Sequence, residues 1–475
     1  MFTHSEPGHK WRRCADGGTL SFERRERRRQ RKRGRELKTI AQNAACQKVD
    51  KILFRNALVV DPEKGSQTKS DVVVEGGKFE EIGKIDATGF DGKVVEVNGK
   101  VLCPGLIDMH VHLRQPGRED EETVESGALA AMAGGFTAVC PMPNTDPATD
   151  TAEIVGFLKE RAQDLLVDVY PIAAVTRGRA GEELTEMGSL VEAGAVAFSD
   201  DGDPVATAGI LRRAMEYVRM FDVPIIEHCE DKTLSRGGAM NESAVSTRLG
   251  LPGIPGISED VTVARDIEVA AFTGAKLHIA HISTANAVEL VRQAKKRGIH
   301  VTCEVTPHHF TLNDEVVSSF DSNFKMHPPL RTQADVAAML EGLKDGTIDV
   351  IATDHAPHSI EEKEVEFDAA PFGILGLETA LGLVMKQLVH PGILTLPQAI
   401  AKMTSNPASI LRLQRGVLRK GAAASVTIFD PDVAWTVDKS ALKSKSKNTP
   451  FDGWNLTGRV VGLYSKGRWW PAETE

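Results

Sequence analysis

The feature that most limits the fold of this chain is the regular alternation of apolar runs with helical patterns between residues 101 and 357. Stretches such as 123–133 and 286–296 have helical periodicity and separate the apolar runs. Strands that alternate with helices build a parallel sheet, and eight such units can close into a (β/α)8 barrel. We therefore predict an α/β protein with a TIM-like barrel over residues 102–408. The predicted barrel strands are 102–112, 137–141, 168–175, 195–199, 224–228, 276–281, 300–306 and 349–353.

Two regions of shorter strand character flank the predicted barrel. Residues 51–101 contain β-type runs separated by Gly, Asp and Lys turns, and strand character returns at 425–429 and 460–464. The two regions lie at opposite ends of the folded sequence, so they can pair with each other beside the barrel. We predict that 51–101 and 409–475 together form one small β-sandwich domain.

The amino-terminal residues differ in charge from the rest of the chain. Residues 1–47 hold 13 Lys or Arg and 5 Asp or Glu, whereas the remaining residues hold 44 basic and 61 acidic side chains. The basic run at 24–35 could bind phosphates, but it has almost no apolar periodicity. We therefore predict that residues 1–50 form a disordered arm outside the folded units, and we assign it neither a function nor a nucleic-acid partner.

Several classes of protein are disfavoured by composition. No apolar run approaches the roughly 20 residues that span a bilayer, and the first 30 residues lack the apolar core of a secretory signal. The six cysteines are sparse in 475 residues and form no CxxC pair, which argues against a disulfide scaffold. We expect a cytoplasmic enzyme with no membrane partner.

Polar side chains recur where the predicted barrel strands end. His110 and His112 are two residues apart on one strand, so their rings point to the same face and could bind one metal ion. Active sites of such barrels lie at the carboxyl ends of the strands. Imidazoles and carboxylates at several separate strand ends are hard to explain as core residues, and we predict a metal site. The further candidates are Asp200, Asp201, His228, His281 and Asp354.

The types of ligand indicate which metal and which chemistry to expect. Imidazoles and carboxylates without a thiolate favour Zn²⁺ or another borderline divalent ion in hydrolytic use. Such an ion acidifies a bound water and makes it a usable nucleophile. A nearby carboxylate must then carry the proton, and Asp354 is the natural candidate.

A resemblance becomes plain when the motifs are taken together. The segments DMHVHLRQPG, GGFTAVCPMPNT, AFSDDG, HCED, HISTANAVELV, EVTPHH, ATDHAPH, APFGILGLETA and SKSKNTPFDG resemble those of the long, class I dihydroorotases. That family belongs to the amidohydrolase superfamily. The resemblance runs from about residue 51 to the end, and its motifs are specific in number and order.

The resemblance implies the reversible cyclisation of N-carbamoyl-L-aspartate to L-dihydroorotate in de novo pyrimidine (UMP) biosynthesis. It implies one or two Zn²⁺ ions, a metal-bound hydroxide as the nucleophile in hydrolysis, and Asp354 as the general acid/base. Asp201 matches the carboxylate that bridges two metals where two are bound. The positions that match the zinc ligands of the family are His110, His112, His228, His281 and Asp354.

The resemblance also implies a set of substrate contacts. Arg114, Asn144 and His358 match the positions that hold the substrate carboxylate, and 370–373 matches a loop that meets the pyrimidine ring through Pro371, Phe372 and Gly373. His327 is a departure, because the family usually has Asn at this ring-contacting position. His308 and His309 are more often structural in the family, and we leave them out of the predicted metal set.

Two alternatives stand beside an active dihydroorotase. A hydantoinase-like cyclic-amide hydrolase would bridge its metals with a carbamylated lysine on the fourth strand, but no lysine lies between Lys159 and Lys232. A non-catalytic homologue that scaffolds aspartate carbamoyltransferase would lack metal ligands, but every ligand position is filled. The resemblance allows two protein partners for an active enzyme as well, namely a second copy in a homodimer and aspartate carbamoyltransferase.

Overall fold

The computed structural model describes residues 46–472, and the predicted arm therefore lies outside the described residues except for 46–50. The strands are β1 (Gln47–Lys48), β2 (Lys51–Asp61), β3 (Ser66–Glu75), β4 (Lys78–Gly83), β5 (Lys93–Glu96), β6 (Val101–Pro104), β7 (Leu106–Val111), β8 (Phe136–Pro141), β9 (Asp168–Val169), β10 (Ile172–Ala173), β11 (Ala197–Phe198), β12 (Ile225–Glu227), β13 (Met240–Asn241), β14 (Gly253–Ile254), β15 (Leu277–Ile279), β16 (Val301–Val305), β17 (Val350–Ile351), β18 (Val426–Thr436), β19 (Asn455–Ser465) and β20 (Arg468–Pro471). The helices are α1 (Val124–Ala133), α2 (Ala152–Ala162), α3 (Met187–Ala193), α4 (Ala208–Val218), α5 (Lys232–Ser235), α6 (Ala244–Leu249), α7 (Ile257–Thr273), α8 (Ala285–Lys296), α9 (Gln333–Asp345), α10 (Ile360–Lys363), α11 (Ala380–Val384), α12 (Leu396–Ala401) and α13 (Ser405–Ile410).

The predicted barrel is confirmed. Parallel pairing runs from β7 through β8, β9 with β10, β11, β12, β15 and β16 to β17, and β9 and β10 are two parts of one barrel strand. The ring closes beyond β17, where the amide of His112 donates to the carbonyl of His355 at 2.8 Å. Helices cover the outer face of such a parallel sheet, which explains why β7 and β8 are buried at every residue.

Apolar side chains fill the interior of the barrel. A cluster of buried residues draws its members from strands all around the ring, which is possible only if these side chains point inward. A larger cluster lies between the strands and the outer helices. The inward-pointing residues include Met109, Cys140, Ile172, Ala197, Ile226 and Val350.

Many of the barrel helices begin at a threonine that caps the first turn. The hydroxyls of Thr123, Thr284 and Thr332 each accept a hydrogen bond from a backbone N–H of the helix that follows. Such caps satisfy amides that the helix itself leaves unpaired. They therefore fix the points at which the loops after the strands enter the helices.

The flanking segments form one sheet in the order β1–β20–β19–β18–β6–β2–β3–β4, with β5 also paired to β2. The sheet encloses its own core, in which Phe54 lies edge-on to Tyr464 and Trp469. The pairing of the two flanks is therefore as predicted, but the boundaries differ. The sheet begins at Gln47 rather than at residue 51, because β1 pairs with β20.

The second boundary moves for a similar reason. β6 pairs with β2 and β18 of the sheet, so the barrel starts at β7 rather than at residue 102. Gly105 separates β6 from β7 at a point where a Cβ atom would collide with the side chains of Thr137 and Ser425. The chain can therefore pass from the sheet into the barrel only through a residue without a side chain.

The predicted carboxyl-terminal β segment is also interrupted. Between β18 and β19, residues 437–454 leave the sheet and lie against the loops of the barrel, where Ser446 and Asn448 are buried. This connection carries the SKSKN part of a motif noted above.

Of the helices within 46–472, none combines the length and apolar character that a bilayer span requires.

Candidate metal centre and substrate pocket

Six predicted ligands come together at the carboxyl end of the barrel. They lie in, or within three residues after, β7, β11, β12, β15 and β17. The carboxyl ends of parallel strands share one end of a barrel, so five separate parts of the chain meet there. All six side chains are buried: His110, His112, Asp201, His228, His281 and Asp354.

Five of the six side chains form two overlapping groups, and His228 belongs to a neighbouring group with Glu230 and His327. In the first group, Asp201 Oδ1 lies 3.4 Å from His110 Nε2 and 3.7 Å from His281 Nε2. In the second, Asp354 Oδ1 lies 2.9 Å from His112 Nε2 and 3.5 Å from His110 Nε2. In each group the ligand atoms lie within 4.8 Å of one another, so each group could surround one ion.

Asp201 faces both groups with different oxygens. Its Oδ1 lies 3.4–3.7 Å from nitrogens of His110, His228 and His281, whereas its Oδ2 lies 3.6 Å from His112 Nε2. A carboxylate with one oxygen toward each group has the geometry of a bridging ligand. Among residues 46–472, no other carboxylate has oxygens within 4.0 Å of nitrogens of all four histidines of the centre.

The unsatisfied atoms of the centre fit a divalent cation. His110 Nε2 and Asp201 Oδ1 are buried and make no hydrogen bond. A buried polar atom without a partner is costly, and native proteins rarely leave one unexplained. Nδ1 of His228 also lies 2.9 Å from Nε2 of His281, so two imidazole nitrogens point at the same space. Imidazole nitrogens and carboxylate oxygens are suitable ligands for such a cation.

Glu304 supports the centre by contacting the ring nitrogen of His110 that faces away from the other ligands, and it was not predicted from sequence. Its Oε1 accepts a hydrogen bond from Nδ1 of His110 at 2.5 Å, and its Oε2 lies 3.3 Å from Nε2 of His278. Burial raises the pKa of Glu304, but His110 and His278 outweigh it and lower that pKa to about 2. The carboxylate thus directs Nε2 of His110 into the centre. The sequence signal that could have identified Glu304 is its position inside the predicted apolar strand 300–306.

Asp354 is held ionised by its surroundings. Burial alone would raise the pKa of its carboxyl, but the nearby imidazole of His110 and the hydrogen bond from His112 lower that pKa well below its ordinary range. An ionised carboxylate can accept a proton.

Asn144 holds the ring nitrogen of His112 that does not face Asp354. Nδ1 of His112 donates a hydrogen bond to Oδ1 of Asn144 at 2.8 Å.

Three residues of the site have backbone conformations that side chains rarely adopt. Arg114, His281 and Asp354 have φ angles of 58°, 29° and 47°. Non-glycine residues with positive φ are strained, and such strain concentrates at functional sites. The turns that follow the strands therefore orient these side chains, and the strained backbone there costs free energy.

A cavity of about 850 Å³ opens beside the centre. Arg114, Asn144, His327, His358, Phe372 and Gly373 line it together with all the metal-ligand candidates except His110. Pro371 is outside this lining, and its carbonyl accepts a hydrogen bond from Nζ of Lys363 at 2.8 Å. The structure thus brings six of the seven predicted substrate contacts to one cavity.

Arg114 and His358 form the polar end of this cavity. Nη2 of Arg114 lies 3.3 Å from Nε2 of His358, and Nε of Arg114 donates to the carbonyl of Pro357 at 3.0 Å. Glu121, which the sequence reasoning did not single out, holds both side chains: Oε2 lies 3.2 Å from Arg114 Nε and Oε1 lies 2.9 Å from His358 Nδ1. The pair could hold a carboxylate of a ligand.

His327 occupies the opposite side, against His228. The two rings stack with centroids 5.1 Å apart, and Nε2 of His327 lies 3.0 Å from Oε1 of Glu230. Burial, together with the neighbouring His228, lowers the pKa of His327 to about 3, so its ring is neutral. Glu230 is a third residue that sequence reasoning missed, after Glu304 and Glu121, although it lies in the HCED motif.

His308 and His309 take no part in the groups that could hold an ion within residues 46–472. His309 contacts the hydroxyl of Thr306 at 2.8 Å and the carbonyl of Pro328 at 2.9 Å. Burial lowers the pKa of His308 to about 3.

A parallel α/β barrel with four histidines and two aspartates at the carboxyl ends of its strands has the architecture of a metal-dependent amidohydrolase. Solved structures agree on the fold. An L-hydantoinase from Arthrobacter aurescens is similar with a TM-score of 0.78 and 26% identity, over 87% of this chain and 94% of that one. A dihydropyrimidinase from Brevibacillus agri NCHU1002 is similar in fold, with a TM-score of 0.77 and 23% identity over 88% of this chain and 94% of that one.

Sequence relatives identify the family. A dihydroorotase from Pelotomaculum thermopropionicum is 54% identical over 419 residues, which cover 88% of this chain and 98% of the relative. A dihydroorotase from Syntrophus aciditrophicus is 50% identical over 420 residues, with the same two coverages. A family profile described as Dihydro-orotase-like matches residues 99–287. The chain belongs to the dihydroorotase family.

Proposed function

We propose that this chain is a zinc-dependent dihydroorotase that interconverts N-carbamoyl-L-aspartate and L-dihydroorotate in pyrimidine biosynthesis. One observation carries the proposal: five of the six ligand candidates and the pair Arg114 and His358 line the same cavity, and the sixth candidate, His110, lies behind them in contact with Asp201 and Asp354. The site can thus bind a substrate carboxylate beside a hydrolytic centre. A cytoplasmic location is part of the same proposal.

The proposed ligands of Zn²⁺ are His110, His112, Asp201, His228, His281 and Asp354, with Asp201 between two ions where two are bound. When bound, the ion lowers the pKa of a coordinated water and polarises the reacting carbonyl. Asp201 Oδ1 and Nε2 of His110, the atoms that lack partners, support this assignment. The choice of zinc over another borderline ion rests on the donor types.

Asp354 is the proposed general acid/base. In hydrolysis its carboxylate takes a proton from the attacking water as the water adds to the ring amide carbon. It then gives that proton to the ring nitrogen as the carbon–nitrogen bond breaks. In biosynthesis the ureido nitrogen attacks the side-chain carboxyl carbon, and Asp354 takes the proton of that nitrogen and gives it to the carboxyl oxygen, which leaves as water when its bond to carbon breaks. Its ionised carboxylate, 2.9 Å from His112 at the centre of the ligand cluster, supports a role as the proton carrier.

Arg114, His358 and Asn144 are proposed to hold the carboxylate that stays outside the reacting bond. Arg114 supplies a fixed cation, and planar guanidinium groups pair well with carboxylates. His327, Phe372 and Gly373 line the cavity beside the centre and are proposed to contact the pyrimidine ring. Pro371 is proposed to act only through the position of this loop, because its carbonyl is bonded to Lys363.

The test is to measure bound metal and L-dihydroorotate ring opening on the same purified sample, with hydantoin as the control substrate. We expect zinc and ring opening of dihydroorotate, with hydantoin hydrolysed far more slowly. Zinc with hydantoin as the better substrate would instead favour the hydantoinase-like alternative. Zinc without either activity would favour a non-catalytic homologue.

Adding aspartate carbamoyltransferase to the same assay tests the proposed partnership. An increase in ring opening with the partner, together with co-elution on a sizing column, would support a complex. The sizing column also tests the proposed homodimer. Activity that does not change on addition, with separate elution, would show a self-sufficient enzyme.

A further inference from the structure

Residues 444–448 come from outside the barrel sequence and contact the loops that surround the substrate pocket. They belong to the connection between β18 and β19, two strands of the flanking sheet. The connection leaves that sheet and contacts barrel loops more than 300 residues earlier in the chain: the Ser444 hydroxyl donates to Oε2 of Glu122 at 2.5 Å. None of the proposed metal ligands, catalytic residues or substrate contacts lies in this segment.

Asn448 makes the most extensive contacts of this segment to the pocket loops. Its Nδ2 donates to the carbonyls of Ala356 at 2.9 Å and Gly373 at 3.1 Å, and its Oδ1 accepts from the backbone N–H of His358 at 3.1 Å. Its backbone carbonyl also accepts from the amide of Leu375 at 3.0 Å. The side chain is 3% exposed. One buried amide therefore ties the loop that carries His358 to the loop that carries Gly373.

The same segment also holds the loop that follows Arg114. The hydroxyl of Ser446 donates to the carbonyl of Glu121 at 2.7 Å. The carboxylate of Glu121 lies 3.2 Å from Arg114 Nε and 2.9 Å from His358 Nδ1. Residues 444–448 thus contact each loop that brings a proposed carboxylate-binding side chain to the polar end of the cavity, other than that of Asn144.

We propose that Asn448 is a positioning residue for recognition of the substrate carboxylate. This inference rests on the proposed function, because it takes Arg114 and His358 as the carboxylate-binding pair. Asn448 touches neither metal-ligand candidates nor the cavity, and acts by fixing His358 relative to Arg114 and Gly373. Displacing such groups by about 1 Å can lower activity roughly a hundredfold.

The test uses three variants and two competing ligands. Asn448→Ala removes all three side-chain hydrogen bonds, and Asn448→Asp keeps the acceptor for His358 N–H but removes the donors to Ala356 and Gly373. Asn406→Ala is the matched control, because Nδ2 of Asn406 also donates to a backbone carbonyl, that of Asp349 at 2.8 Å before β17. That carbonyl lies at the opposite end of the strand from the site.

The competitors are N-carbamoyl-L-aspartate and N-carbamoyl-β-alanine, which lacks the carboxylate that Arg114 is proposed to hold. Their inhibition constants are measured for each zinc-loaded variant, alongside zinc content and melting temperature. We expect Asn448→Ala to weaken N-carbamoyl-L-aspartate about tenfold or more and N-carbamoyl-β-alanine by less than about threefold. Asn448→Asp should show the same selective loss, and Asn406→Ala should show none.

Other results would overturn the inference. If Asn448→Ala and Asn448→Asp weaken both competitors equally, or lower only the melting temperature, Asn448 has a merely structural role. If Asn448→Ala does not fold, the result from Asn448→Asp decides. Failure of the wild-type protein to prefer N-carbamoyl-L-aspartate over N-carbamoyl-β-alanine would instead contradict the proposed function itself.

Discussion

The candidate metal centre and the proposed carboxylate-binding end of the cavity are built in different ways. The six ligand candidates lie on barrel strands or within three residues of their ends, where parallel pairing fixes the backbone. Arg114 lies just as close to its strand, three residues after β7, but His358 lies farther out on a loop; both are held by Glu121, and His358 also by Asn448. The proposed chemistry thus rests on the strand ends, whereas the proposed recognition rests largely on contacts between loops.

This difference has a physical basis. A strand inside a closed barrel has neighbours on both sides, so the direction of its side chains follows from the pleat. A loop has no such ladder, and its backbone polar groups must find other partners. In this protein a segment of the flanking domain supplies several of those partners. Changes at the centre should therefore alter turnover or metal binding, and changes at the loops should alter affinity.

The largest effect is expected for Asp354→Asn, which keeps the size of the side chain but removes the proton acceptor. We expect kcat for dihydroorotate ring opening to fall by about 10²–10⁴-fold, the usual contribution of a general acid/base. Zinc content measured on the same sample separates a lost proton carrier from a lost ligand. A variant that keeps its zinc and more than about a tenth of kcat would contradict the assigned role.

The next effect concerns Glu304→Gln, which removes the charge that holds His110 Nδ1. We expect zinc to bind about 10–100-fold more weakly, because residues behind metal ligands orient them and raise their basicity. Competition with a chelating dye measures this affinity without relying on activity. Glu341→Gln on the exposed face of α9 is the control. Unchanged affinity in Glu304→Gln would show that the strand alone positions His110.

Arg114→Gln should separate recognition from chemistry. It removes the cation at the polar end of the cavity, so we expect KM for dihydroorotate to rise about 10–100-fold with a smaller change in kcat. Arg177→Gln, which changes a half-exposed arginine near Glu183, is the control. If kcat fell as much as kcat/KM while KM stayed the same, Arg114 would act on the transition state alone, and the division between the two regions would fail.

The smallest effect is expected for His327→Asn, which installs the residue usual in the family. The change removes the contact with Glu230 and the stacking on His228, so we expect KM to rise by about fivefold or less. His300→Asn, at an exposed position before β16, is the matched control. A lower KM in His327→Asn would show that this chain is adapted to a different ring.

Much of the barrel and of the centre could be predicted from the sequence. The alternation of strands and helices indicated the ring, and His110 with His112 marked a strand end with its side chains on one face. The boundaries were less accurate. β1 and β6 joined the flanking sheet because of pairing with β20 and β18, and no local pattern encodes such distant partners.

The supporting residues were missed for the same reason. Glu121, Glu230 and Glu304 are ordinary glutamates in sequence, and only their buried contacts with histidines and Arg114 distinguish them. The contact of Pro371 with the ring stays a prediction, and the structure adds only that its carbonyl accepts a hydrogen bond from Nζ of Lys363. Periodicity identifies which residues share a face, but not which side chains from other segments will meet them.

The sequence by itself determined the class of fold, the donor types of the metal centre and the strand ends that carry them. These properties depend on local patterns of apolar and polar residues, which act over a few residues. Only the tertiary structure decided that Asp201 faces both ligand groups and that Asn448 joins the loops of the pocket. Such contacts join residues 75 to 92 positions apart, and they exist only after the barrel and the flanking sheet have closed on each other.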